Sequence, residues 1–270
     1  MEHAMEILIP ALIFAGLGIF AGLLLSVFSR VFAVQTDERA EQIREVLPGA
    51  NCGACGFSGC DGYAAALVKD GAVKTNLCLP GGAETARKIS EILGTGFEAV
   101  EPMVAEVCCR GTTGATEDQF VYDGVDSCSA CNLYYSGKGK CDYGCLGFGD
   151  CVKACPYDAI RVVDGCAQVN EARCTGCGLC ARACPKGLIS VRKKAQRVVV
   201  KCANCDPGKA VRSACTAGCI GCKKCEKTCR YGAIRVEQNR ARIDPETCTG
   251  CGECAAACPV GCIIVREPLQ

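Results

Sequence analysis

Cysteine is the residue through which this chain would do chemistry. It fills 29 of 270 positions, and most cysteines stand two or three residues from the next. Neighbours that close are poorly placed to pair with each other, but they suit joint ligation of one metal centre. The chain is long and the count is odd, which argues against a small secreted disulfide scaffold and for metal ligation in a reducing compartment. The single histidine is His3, which excludes C-x-x-C-H haem attachment, Rieske ligation and mixed Cys/His zinc sites. No G-x-G-x-x-G follows a strand and no P-loop is present, so no nucleotide site is visible.

The strongest pattern is a repeat. Cys174, Cys177, Cys180 and Cys184–Pro185 form C-x2-C-x2-C-x3-C-P, and Cys248, Cys251, Cys254 and Cys258–Pro259 form it again. Cys219, Cys222, Cys225 and Cys229 repeat the spacing, with Arg230 in place of the proline. In two-cluster ferredoxins the first three cysteines of such a string hold one cluster and the fourth ligates the other. Cys219, Cys222 and Cys225 are therefore expected to join Cys258, and Cys248, Cys251 and Cys254 to join Cys229. Zinc ribbons rarely share ligands three-plus-one. Arg230 would raise the potential of its neighbouring cluster by placing a positive charge close by.

One copy departs from the pattern. Aligned on Cys155–Pro156, the stretch CDYGCLGFGDCVKACPYDAI places Cys145 and Cys151 as expected but has Phe148 at the middle position. The preferred expectation gives Cys141, Cys145, Cys151 and Cys184 to one cluster and Cys155, Cys174, Cys177 and Cys180 to the other. Two alternatives stay open: Cys128 or Cys109 supplies the thiolate through a loop, or the site holds a three-iron cluster. Upstream, Cys52, Cys55, Cys60 and Cys78 form C-x2-C-x4-C-x17-C with glycines at 53, 56 and 59. Four thiolates fit one [4Fe–4S] cluster or one zinc ion, and the spacing favours iron–sulfur. These sets use twenty cysteines in five clusters. Cys108, Cys109, Cys128, Cys131, Cys166, Cys202, Cys205, Cys215 and Cys262 are left over. They allow a sixth cluster by arithmetic, or pack as small hydrophobes.

These thiols need elements to hold them. Ile7–Ser29 is an uncharged aliphatic run ended by Arg30, long enough to span a bilayer core as a helix. The residues before it include Glu2 and Glu6 but no Lys or Arg, unlike a cleaved signal peptide. The first positive charges after it, Arg30, Arg39 and Arg44, place the bulk of the chain in the cytoplasm. Gly18 and Gly22, with Ala11 and Ala15 before them, would make a face for close helix packing. TDERAEQIREVLPGA reads as a short amphipathic helix ending near Pro48–Gly49, and AIRVEQNRARID as a small hairpin. The expected class is α+β: one transmembrane helix, a small helical four-cysteine domain, and two tandem ferredoxin-like 2[4Fe–4S] units. The divisions are 1–34 for the transmembrane helix, 35–100 for the helical domain and 101–135 for a cysteine-containing connector. The first, altered unit takes 136–198 and the second 199–270.

This order resembles the B subunit of the Rnf complex, and the resemblance covers the whole chain. The stretch NCGACGFSGCDGYAAALVKDGAVKTNLCLPGG is similar to that family's helical cluster domain. YGCLGFGDCVKACPYDAI and GCIGCKKCEKTC are similar to its longer forms with two ferredoxin units. The resemblance implies an electron-relay subunit that passes electrons from reduced ferredoxin, or flavodoxin, through [4Fe–4S] clusters toward NAD reduction coupled to Na+ or H+ movement. It implies other membrane and peripheral subunits as partners, no nucleic acid, and single-pass attachment to the cell membrane with the cluster domains on the cytoplasmic side. From Arg182 to Arg242 the sequence has sixteen Lys or Arg against three Asp or Glu, a surface that would steer acidic ferredoxins inward. The rival readings are a related membrane complex that reduces a redox-sensing regulator, a structural zinc-binding adaptor, and an extracellular disulfide-rich domain.

Overall fold

The computed structural model describes residues 2–31 and 37–267, with side chains from Leu12 to Arg30 in the first stretch. Helix α1 (Glu2–Val31) is continuous, and its Leu12–Arg30 segment is long and apolar enough to cross a membrane. All of its described side chains are exposed. Gly18 and Gly22 have open space where a Cβ would stand. Ala11 lies outside the residues whose side chains are described, and the expected boundary at residue 34 lies outside the described residues.

Three helices follow: α2 (Glu38–Val46), α3 (Cys60–Lys69) and α4 (Gly82–Leu93). Asp37 caps α2 by accepting the Arg39 N–H at 2.9 Å, and the helix ends before Pro48, as its sequence requires. The three helices share a core of Ile43, Leu47, Tyr63, Leu67 and Ile89. Tyr63 is 1 % exposed and donates its hydroxyl to the Lys74 carbonyl at 2.7 Å. That bond ties α3 to the loop leading to Cys78.

The remainder alternates short helices and strands. The first part runs β1 (Met103–Val107), α5 (Cys128–Asn132), α6 (Asp150–Lys153), β2 (Ile160–Val163), β3 (Cys166–Val169), α7 (Leu179–Ala183) and β4 (Ile189–Lys193). The second runs β5 (Val198–Val200), α8 (Gly208–Ala214), α9 (Lys224–Thr228), β6 (Ile234–Glu237), β7 (Arg240–Ile243), α10 (Glu253–Ala256) and β8 (Ile263–Val265). Each part has an antiparallel hairpin between its cysteine strings, β2–β3 and β6–β7, and a second antiparallel pair, β1–β4 and β5–β8. The third cysteine of each string rides on a one-turn helix: Cys151 on α6, Cys180 on α7, Cys225 on α9 and Cys254 on α10.

Strand β1 lies in the stretch expected to be a connector. Its residues pair with β4 from Met103↔Lys193 to Val107↔Ile189, so this stretch closes the sheet of the first unit. The alternation in MVAEV is too brief to announce a strand whose partner lies far along the chain.

Both hairpins turn through two left-handed residues, Asp164–Gly165 and Gln238–Asn239, the twist that matches paired strands. Each turn packs against the glycine of a cysteine string. A Cβ on Gly221, whose φ is +64°, would stand 3.0 Å from the Asn239 carbonyl oxygen. A Cβ on Gly147, with φ +78°, would meet the Gly165 carbonyl oxygen at 2.9 Å. Gly221→Ala is therefore expected to destabilise the second unit by about 1–3 kcal/mol. The check is a lower temperature for loss of visible absorbance on anaerobic heating.

The two units are joined by a buried ionic cluster. Glu106, on β1 and 2 % exposed, pairs with Arg192 of β4 at 3.0 Å, Lys201 at 2.6 Å and Arg266 at 2.8 Å. Glu171 pairs with Arg192 at 2.9 Å and Arg266 at 3.1 Å. Arg192 and Lys201 belong to the stretch read as a basic docking surface, and both are buried. That part of the charge excess is structural.

Candidate metal centres

The cysteines stand around small cavities. Among the described residues, no group of three or more Cys, His, Asp or Glu converges in a way that could hold a single metal ion, and all 29 cysteines are free thiols. Thiols spaced around a void suit a cuboidal cluster, whose corner irons each take one thiolate, better than a tetrahedral zinc ion at about 2.3 Å from every sulfur.

In the helical domain Cys52, Cys60 and Cys78 are buried and Cys55 is half-buried. Burial pushes the Cys78 thiol up to about 11, and the neighbouring Cys60, Cys52 and Cys55 thiols add to this. The four expected residues are thus together. The loop is held by Asn51, whose Oδ1 accepts the Cys60 N–H at 2.8 Å.

In the second unit one cavity, with about 300 Å³ of empty space, is lined by Cys219, Cys222, Cys225 and Cys258. Another, of about 330 Å³, is lined by Cys229, Cys248, Cys251 and Cys254. This is the three-plus-one exchange expected from the spacing. Cys222 and Cys251 are exposed, whereas Cys219, Cys225 and Cys254 are buried. Arg230 is 80 % exposed and pairs with Glu253 at 3.6 Å. Solvent and that carboxylate screen its charge from the neighbouring sulfurs.

In the first unit, burial pushes the Cys180 thiol up to about 11, with further contributions from Cys174, Cys177 and Cys155. Those four are the expected set. The Ala105 N–H donates to Cys174 Sγ at 3.3 Å and the Ala159 N–H to Cys155 Sγ at 3.4 Å, the kind of backbone donation that stabilises cluster sulfurs.

The altered set is assembled differently from the preferred expectation. A cavity of about 390 Å³ is lined by Cys128, Cys145, Cys151 and Cys184; Cys141 lines a different cavity. Cys128 opens α5, a one-turn helix carried by the loop that the sequence presents as a connector. Ser127 caps that helix, and its hydroxyl bonds Asp150 Oδ2 at 2.9 Å. The Ser129 N–H donates to the same oxygen at 2.9 Å. Asp150 therefore pins Cys128 beside Cys151, its own chain neighbour. Phe148 turns away, packing with Tyr122 at 5.5 Å between ring centres and with Cys128, Cys131 and Leu146. The only sequence signal for this is the C-x2-C at Cys128 and Cys131, and Cys131 is fully buried in that apolar cluster.

Two further leftover cysteines are buried beside these sets. Cys166, at the start of β3, is 2 % exposed, and its Sγ lies 3.6 Å from the Cys109 carbonyl oxygen, to which it donates. Cys262 is 1 % exposed, and its Sγ lies 3.6 Å from Cys258 Sγ.

The fold and its cysteine cavities define a multi-cluster iron–sulfur protein of the ferredoxin type. Family models agree: a putative Fe-S cluster domain matches residues 47–80, a 4Fe-4S binding domain 167–190 and a 4Fe-4S dicluster domain 218–262. The chain is 43% identical over 233 residues to the B subunit of the proton-translocating ferredoxin:NAD(+) oxidoreductase complex of Clostridium ljungdahlii, covering 86% of this chain and 82% of that one. It is 42% identical over 243 residues to the Na(+)-translocating counterpart of Acetobacterium woodii, covering 90% and 73%. It is 42% identical over 237 residues to the B subunit of the ion-translocating oxidoreductase complex of Methanosarcina acetivorans, covering 87% and 89%. The chain belongs to the family of B subunits of ion-translocating ferredoxin:NAD(+) oxidoreductase complexes, the Rnf complex.

Proposed function

We propose that this chain is the electron-relay subunit of a membrane complex, taking electrons from reduced ferredoxin and passing them through [4Fe–4S] clusters toward NAD reduction coupled to Na+ or H+ transport. The observation that carries the reading is the succession of cysteine groups, three of them around cavities. Cys177 of the first unit feels the Cys52 thiol of the helical domain, and the Arg182 guanidinium donates to the Cys52 carbonyl, so those two sets lie side by side. Within each unit the fourth cysteine of one string reaches the cavity of the other. Cys52, Cys55, Cys60 and Cys78 form the set nearest α1 in the chain. Cys155, Cys174, Cys177 and Cys180 form the next, and Cys128, Cys145, Cys151 and Cys184 the third. The two second-unit sets complete five.

The exposed sulfurs favour the second unit as the intake. Cys222 is exposed between exposed Lys223, Lys224 and Lys227 on α9, a cationic rim for an acidic ferredoxin. Helix α1 would anchor the chain in the cell membrane, with Arg30, Arg39 and Arg44 keeping the cluster domains on the cytoplasmic side. Other subunits would carry the NAD site and the ion path.

The test mixes the full chain, purified anaerobically in detergent, with reduced ferredoxin and follows bleaching of the clusters. Bleaching is expected to slow as ionic strength rises past a Debye length of about 10 Å, and to slow at low salt when Lys223, Lys224 and Lys227 are replaced by alanine. A salt-insensitive rate would reject the docking surface. A colourless protein, or no bleaching at all, would reject the relay.

A further inference from the structure

From the convergence of Cys109, Cys141, Cys202 and Cys215 on one cavity, we propose that the junction of the two units holds a sixth [4Fe–4S] cluster, which passes electrons from one unit to the other. The cavity has about 370 Å³ of empty space, between the 300 and 330 Å³ of the second unit's two cavities and the 390 Å³ of the altered set's. None of the four thiols belongs to a C-x2-C-x2-C string, and none falls in a stretch matched by a family model. They come from four separated segments: the loop after β1, the turn before Cys145, the strand end after β5, and the end of α8.

These segments are fixed in place. Cys215 is held by the bridge from Thr116 to its own position, by the Thr216 N–H to the Ala115 carbonyl at 2.9 Å, and by the Thr116 hydroxyl to the Ala214 carbonyl at 2.8 Å. Three of the four sulfurs also have a donor of the sort that surrounds cluster thiolates. The Gly111 N–H reaches Cys109 Sγ at 3.3 Å, Asn204 Nδ2 reaches Cys141 Sγ at 3.4 Å, and the Cys219 N–H reaches Cys202 Sγ at 3.2 Å. Asn204 is 1 % exposed, so this amide is spent on the Cys141 sulfur inside the protein. A fifth cysteine lines the same void, but Cys108 Sγ faces the Ser190 hydroxyl at 3.7 Å.

Position supplies the function. On one side Cys109 packs against the same core cluster as Cys145 of the altered set. On the other, Cys202 accepts the N–H of Cys219 in the second unit. A cluster here takes one electron from a neighbouring cluster and yields one to the other; no bond is made or broken. Without it the two units have no thiol-lined centre between them among the described residues.

The sixth site rests on reading the regular cavities as cluster sites, and the experiment separates the two. Iron and sulfide are counted in the full chain after anaerobic reconstitution, and again in Cys141→Ala and Cys215→Ala. The parent is expected to hold about 24 iron atoms, and each variant about four fewer with five clusters still EPR-active. A fully loaded parent with about 20 iron atoms would overturn the sixth site alone, whether or not the variants fold. Unchanged iron in folded variants would do the same. A parent without iron would overturn the relay itself. Loss of the junction cluster is also expected to leave the two units on separate redox timescales, and rapid equilibration between them in either variant would count against the bridging role.

Discussion

Cys128→Ala is expected to cost the first unit one cluster, seen as loss of about four iron atoms or conversion to a three-iron centre by EPR. Cys141→Ala should leave that cluster in place. The contrast follows from the cavity lined by Cys128, Cys145, Cys151 and Cys184, from which Cys141 is absent. The backbone around Phe148 keeps the shape of a regular string: Gly147 and Gly149 have φ of +78° and +76°, against +71° and +74° for Gly176 and Gly178 and +75° and +82° for Gly250 and Gly252. Only the side chain has changed. Phe148→Cys in the Cys128→Ala background should therefore restore the cluster, because the loop already presents that position as a ligating one. If the double variant stayed one cluster short while still folded, the loop would have lost the geometry assigned to it.

The second large effect concerns Glu106. Replacing it with alanine leaves Arg192 and Lys201 buried without their carboxylate, and removing one partner of such a cluster costs about 3–5 kcal/mol. Because Arg192 belongs to the first unit and Lys201 and Arg266 to the second, the loss should fall on the junction. The expected result is two unfolding steps where the parent has one, measured by calorimetry. Burial by itself would raise the Glu106 pKa, but Lys201 and Arg266 outweigh it and hold the carboxyl below its usual range. Its contribution is therefore present above the unfolded carboxylate pKa of about 4.3 and lost as pH falls through the folded value. Glu106→Gln should flatten that acid limb in denaturant titrations carried from about pH 5 downward.

Much of the site is legible in the sequence because ferredoxin-type ligation is local. Three or four thiols within a dozen residues need only a glycine turn and one turn of helix, so spacing alone assigns Cys219 to Cys225 and Cys248 to Cys254. The fourth thiolate of each string is legible for the same reason. The hairpin at Ile234–Ile243 and the capped helix after Asp37 follow from local pattern. What escapes is everything decided by distant segments. Cys128 reaches its cavity because Asp150 accepts from Ser127 and Ser129, and no spacing rule carries that bond. β1 is a strand because β4 is beside it. Arg192 and Lys201 look like docking charges until Glu106 is found between them. Arg230 has the opposite history: it stands where proline is expected, yet its exposed pairing with Glu253 leaves it little influence on the centre beside it.

The junction cavity also bears on how the molecule is made. Sets drawn from one or two neighbouring strings close only short loops, which costs little. The space between Cys109, Cys141, Cys202 and Cys215 does not exist until both units have folded and Glu106 has drawn Arg266 across. On the proposal made above, this site would be the last to gain its full set of thiolates, and a chain lacking that cluster would be two competent halves with no current between them.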